Sequence, residues 1–143
     1  MIKSIRHTGI VVRNLEGSVK FYCALGFVEN NRDTEEGVFI DTVVGLQNTK
    51  LEWVKLKAPD GYLLELLQYH SHSEQKEIVK QKSNQLGCSH LAFSVDDVDT
   101  ICEKIKEIGG SIVNSPALTN DKKVKVAYCH DNEGNLMEVV EVL

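Results

Sequence analysis

The chain has 143 residues, 42% hydrophobic and 26% charged, with a formal net charge of −5. This composition suits a globular protein of one compact domain or two small modules. No basic stretch is present and no apolar run is long enough to span a bilayer as a helix, so neither nucleic acid nor membrane is an expected partner.

The start, Met1-Ile2-Lys3-Ser4, lacks the apolar core of a signal peptide. Cys23, Cys88, Cys102 and Cys129 are scattered, without a C-x-x-C pair. Both features predict a cytoplasmic protein with reduced thiols, mostly buried filler.

In chain order, residues 5–12 alternate as a strand. Ile5, His7, Gly9 and Val11 share one face; Thr8, Ile10 and Val12 share the other. Asn14 is the predicted N-cap of a helix over 15–25, whose buried face carries Leu15, Val19, Tyr22 and Leu25. Gly26 suits the position after its end. Strands are predicted at 37–41, 51–57 and 62–69, and 41–46 reads equally as strand or helical turn. Residues 70–86 are read as a solvated helical linker. The second module begins with a strand at 89–95. Asp97 caps a helix of Val98, Ile101, Ile105 and Ile108, which Gly109-Gly110 ends. Strands at 111–114, 123–129 and 135–142 follow.

The two halves repeat. His90 follows His7 by 83 positions, as Val95 follows Val12 and Gly109 follows Gly26. Gly134 follows Gly61 by 73, as Glu138 follows Glu65. The second half is therefore shorter by about ten residues between its helix and its last strand, a loop-sized difference. The reading is α+β: two tandem βαβββ modules forming a cupped mixed β-sheet with outer helices. The first module covers 1–70, the linker 71–86 and the second module 87–143, together one compact domain.

Each module offers one imidazole and one carboxylate: His7 and Glu65, then His90 and Glu138. The histidines share their faces with Gly9, or with Ala92 and Ser94, which leave room for a ligand. The glutamates sit among apolar strand neighbours, Leu63 and Leu67, then Leu136 and Val140. An unpaired carboxylate there costs several kcal/mol, so a cation, a lysine or water must compensate. Two such pairs at matching positions favour one divalent metal ion bound by His7, Glu65, His90 and Glu138. Nitrogen and oxygen ligands suit Ni, Co, Zn, Mn or Fe, with open positions for a small-molecule substrate. His70, His72 and His130 fall in polar turns and are expected to be solvated. Tyr128 faces either a cavity or the core. Arg6, Arg13 and Arg32 are the only arginines; a surface role is the default, with an anionic substrate group as the alternative.

These segments resemble the vicinal oxygen chelate superfamily of glyoxalase I, methylmalonyl-CoA epimerase, extradiol dioxygenases and fosfomycin- and bleomycin-resistance proteins. The resemblance rests on His7–Val12 with Phe21-Tyr22 and Leu25-Gly26-Phe27, then Pro59-Asp60-Gly61 with Leu64-Glu65-Leu66. It continues through Ser89–Phe93 and Asp131–Asn135 with Met137-Glu138-Val139. It implies that His7, Glu65, His90 and Glu138 are metal ligands, most like the set of bacterial glyoxalase I. It further implies a metal-dependent lyase or isomerase that stabilises an enediolate of a small carbonyl substrate, with Glu138 or Glu65 as catalytic proton carrier. The alternative is an Fe(II) extradiol-type dioxygenase using His7, His90 and Glu138, with Tyr128 as acid/base partner. A drug-binding resistance protein is the third reading. A homodimer is expected, with the modules paired within one chain or swapped between two.

Overall fold

A computed structural model of the chain describes residues 1–74 and 77–143. The chain divides into two compact units, Met1–Lys76 and Glu77–Leu143. Among the described residues, three helices and nine strands form two mixed sheets, an α+β architecture.

The first unit runs β1 (Thr8–Val11), α1 (Leu15–Ala24), β2 (Val28–Glu36), α2 (Val38–Val44), β3 (Lys50–Lys57) and β4 (Leu63–Tyr69). Its sheet order is β1-β4-β3-β2. The second runs β5 (Leu91–Ser94), α3 (Val98–Glu107), β6 (Ser111–Ile112), β7 (Ala117–Leu118), β8 (Val124–His130) and β9 (Leu136–Val142). Its order is β5-β9-β8-β6, with β7 also on β8. In both units the first strand lies parallel to the last, and the remaining pairs are antiparallel. That one parallel pairing brings a histidine at the start of the chain segment beside a glutamate near its end.

Both long helices begin as the sequence predicts. The Asn14 side chain accepts from the Gly17 N–H and the Asp97 side chain from the Thr100 N–H. A second cap recurs at the repeat spacing. Gln68 Oε1 accepts from the Leu15 N–H and Glu141 Oε2 from the Val98 N–H, each at 2.9 Å. Gln68 and Glu141 are 73 positions apart, and Leu15 and Val98 are 83 apart. The last strand of each unit thus ties down the start of that unit's helix.

The helices cover one face of each sheet. Leu15, Val19, Phe21 and Tyr22 of α1 are buried, as are Val54, Leu56, Leu64 and Leu66 of β3 and β4. Phe21, Tyr22 and Phe27 make edge-on ring contacts at 5.3 and 5.6 Å. In the second unit Val98, Cys102 and Ile105 of α3 are buried, together with Ala127, Cys129, Met137 and Val139. Each fully buried aliphatic chain contributes about 1.5–3 kcal/mol. All four cysteines are free; Cys102 and Cys129 are buried filler, Cys23 is half-buried and Cys88 exposed. Burial pushes the Cys129 thiol up to about 12, so it stays protonated and unreactive.

Several expectations are corrected. Residues 37–41 are not a strand, because Val38–Val44 is α2, closed by Gly45 in the left-handed region. The strand instead lies earlier, at β2, and is exposed along almost its whole length. Its sequence, VENNRDTEE, has no apolar alternation because neither face enters the core. The helical linker does not form either: among the described residues, 70–86 contains no helix, and Gln75 and Lys76 lie outside them. The segment has no apolar stripe to bury, and its part from Glu77 onward belongs to the second unit. Gln81 is the anchor. Its N–H donates to Gly134 O, its side chain donates to Cys88 O and accepts from the Leu136 N–H, and its carbonyl pairs with His130 Nε2. His130, expected in a solvated turn, is accordingly buried at the end of β8.

Candidate functional site

In the first unit, His7 precedes β1 and Gly9 lies on it, directly opposite Glu65 of β4. His7 Nε2 stands 3.1 Å from Glu65 Oε2. Across the next strand pair Lys55 is registered against Glu65, and its Nζ lies 3.3 Å from Oε1. The lysine that could compensate Glu65 is therefore real. Lys55 also sits 4.3 Å from the centre of the Trp53 ring, and the Trp53 indole N–H donates to Glu35 Oε1 at 3.0 Å.

The second unit repeats the arrangement. His90 Nε2 lies 3.1 Å from Glu138 Oε2, and Ala92 stands opposite Glu138. Tyr128 of β8 is registered against Glu138, its ring 5.0 Å from the His90 ring in an edge-on contact. Tyr128 therefore lies on the face of the His90–Glu138 pair. Lys55 and Tyr128 are 73 positions apart, the spacing of Glu65 and Glu138. The repeat thus places a cation beside one glutamate and a phenol beside the other.

Two observations bear on whether these residues fit a cation. Ligand atoms about 2.1 Å from an ion and at right angles stand about 3.0 Å apart, close to the observed nitrogen–oxygen spacing. The same spacing is a hydrogen bond when no ion intervenes. The space is also kept clear: a Cβ on Gly9 would meet Leu67 Cδ1 at 3.2 Å and Glu65 Oε2 at 3.7 Å. Each unit contributes two such ligand types. Among the described residues, no group of three or more His, Cys, Asp or Glu side chains comes together.

The remaining candidates are placed as follows. His70 Nε2 bonds Glu52 at 2.9 Å and the His72 ring bonds Ser71. Arg32 pairs with Glu29 and Glu16, a surface carboxylate clamp that holds Glu29 below its usual range. A cavity of about 410 Å³ in the second unit is lined by Lys80, Gln81, Val113, Tyr128, His130 and Leu136, among others. Sequence reasoning missed Lys55 and Trp53; the available signal was the 73-residue spacing of Lys55 and Tyr128.

The family model described as the Glyoxalase/Bleomycin resistance protein/Dioxygenase superfamily matches residues 4–139. The chain belongs to this superfamily. A relative named probable lactoylglutathione lyase, from Synechocystis, is 27% identical over 94% of this chain and 92% of its own length. A crystal structure of a glyoxalase family protein from Bacillus cereus superposes with a TM-score of 0.91 at 23% identity, covering 100% and 96% of the two chains. A fosfomycin resistance protein, FosX, from Listeria monocytogenes, complexed with Mn(II) and sulfate, gives 0.63 at 17% identity over 100% and 95%. The fold is that of these superfamily members. No helix among the described residues is long and apolar enough to cross a membrane.

Proposed function

We propose that this superfamily member is a glyoxalase-like, metal-dependent lyase or isomerase acting on a small carbonyl substrate. The observation that carries the reading is the recurrence of one pair, His7 with Glu65 and His90 with Glu138, at 3.1 Å in each unit. The four residues are proposed ligands of one divalent ion, Ni, Co, Zn, Mn or Fe. The set is completed within one chain or between two copies, and a cytoplasmic homodimer remains the expected form.

A divalent ion held by His7, Glu65, His90 and Glu138 would supply Lewis-acid polarisation of neighbouring substrate oxygens. The chain supplies the rest. His7 and His90 enter as neutral donors and set the orientation of the bound oxygens. Glu138 or Glu65 takes the proton from the carbon beside the carbonyl and returns it to a neighbouring position. Gly9 and Ala92 keep the space beside both carboxylates open for the substrate. The lactoylglutathione lyase names of the relatives support this class of reaction.

A second reading, an Fe(II) extradiol-type dioxygenase, is favoured by one specific observation. Tyr128 stands against both His90 and Glu138, where an acid/base phenol would be needed, while Lys55 already occupies Glu65. His7, His90 and Glu138 would then suffice as ligands. A drug-binding resistance protein is the weakest reading, since it has no need of two intact pairs.

Metal content per chain decides among them. It is to be measured for the wild type and for His7→Ala, Glu65→Ala, His90→Ala and Glu138→Ala. Under the leading reading every variant binds metal at least about 10–100-fold more weakly, since losses beyond the direct ligands already reach that range. Retention of full occupancy by all four variants would sink the assignment. Retention by Glu65→Ala alone would move the case to the dioxygenase.

A further inference from the structure

We infer that Lys55 is a substrate-binding residue that receives a carboxylate, so that the substrate is an acid bearing its carbonyl or hydroxyl beside that group. This deepens the metal-centred reading above and rests on it. The Lys55 side chain is 25% exposed and reaches the face that carries His7, Gly9 and Glu65. It is held on two sides: by Glu65 Oε1 at 3.3 Å and by the Trp53 ring at 4.3 Å. The ring is itself fixed through its N–H on Glu35. Lys55 is therefore placed before any ligand arrives.

Charge balance gives the substrate class. Glu65 divides its oxygens, Oε2 toward His7 and Oε1 toward Lys55. The two positive charges of a divalent ion are matched by Glu65 and Glu138. The charge of Lys55 is then left over in a half-buried position, and unmatched charge there is costly. A neutral ketone or aldehyde leaves it so. A carboxylate that shares one oxygen with the ion and turns the other to Lys55 removes the imbalance. The matching position beside Glu138 is Tyr128, which carries no charge, so one anionic group is expected and not two.

The test uses the full chain loaded with manganese(II), and compares pyruvate with its neutral analogue methyl pyruvate. Binding is read from proton relaxation of the bound ion and from calorimetry, without any turnover assay. Wild type is expected to bind pyruvate at least tenfold more tightly than the ester. Lys55→Met keeps an unbranched stem on Trp53 and removes the charge. It should lose at least tenfold in pyruvate affinity, with ester affinity within twofold and manganese affinity no weaker. Lys55→Arg should keep most of the preference. A Lys55→Met protein that binds pyruvate as wild type does, or a wild type with no preference, overturns the inference while leaving the metal site standing. So does a Lys55→Met protein whose only change is tighter manganese binding, since Lys55 is then merely the counter-ion of Glu65. A wild type that binds no divalent ion overturns both readings.

Discussion

The histidine–glutamate pairs are built by register, and register makes small residues matter as much as the ligands. Gly9 faces Glu65 across the parallel β1–β4 pair, and its missing side chain is what keeps Glu65 Oε2 accessible. Gly9→Leu is therefore expected to leave a folded protein that has lost metal binding at least tenfold. Far-ultraviolet circular dichroism with equilibrium dialysis against the metal checks both halves. The two pairs, His7 with Glu65 and His90 with Glu138, were legible in the sequence because two spacings, 83 and 73, repeat across the halves. Lys55 was not, because it meets Glu65 only through the β3–β4 hairpin. Only its 73-residue offset from Tyr128, the offset that relates Glu65 to Glu138, marks that lysine as a neighbour of Glu65. His130 was misread for a similar reason: its partner, Gln81, lies 49 positions earlier, at the start of the second unit.

At the scale of elements, whatever carried its own local signal was readable. Asn14 and Asp97 marked the helix starts, and the period of Val98, Ile101 and Ile105 marked the buried face of α3. β2 and α2 were not readable, since an exposed strand lacks alternation and a seven-residue helix shows too few turns to establish a period. One junction is unforgiving. A Cβ on Gly110 would stand 2.5 Å from His130 O and 2.6 Å from Ile105 Cγ2, so the α3–β6 turn cannot accept even a methyl group. Gly110→Ala should lower stability by about 2–3 kcal/mol, read from urea denaturation. Acid acts on the opposite end of α3. Hydrogen bonds from Thr100 hold the Asp97 carboxyl below its ordinary value of 3.8. Its charged form thus stabilises the fold above the unfolded-state value, and that contribution is lost as the pH falls through the lower, folded-state value. Asp97→Asn keeps a capping oxygen and removes the ionisation. Its melting temperature should fall short of the wild type at pH 6 and approach it at pH 2.

At the scale of the molecule, two units carry the same strand order and the same helix tie, each with its own core. The homodimer expectation belongs here. Val38, Phe39 and Val43 of α2 are 84, 72 and 64% exposed, an apolar surface unusual on a lone chain. Light scattering at micromolar concentration should give twice the 16.0 kDa chain mass; a species of single-chain mass would refute it. The charged β2 strand limits how such copies can meet. Within the first unit it is the border strand of its sheet, and the unpaired side of such a strand is the usual template for runaway strand addition. Glu29, Arg32, Asp33, Glu35 and Glu36 line that border with four acids and one base, and an identical border brought alongside would set carboxylate against carboxylate. Ribbon-like polymerisation along this border is therefore resisted.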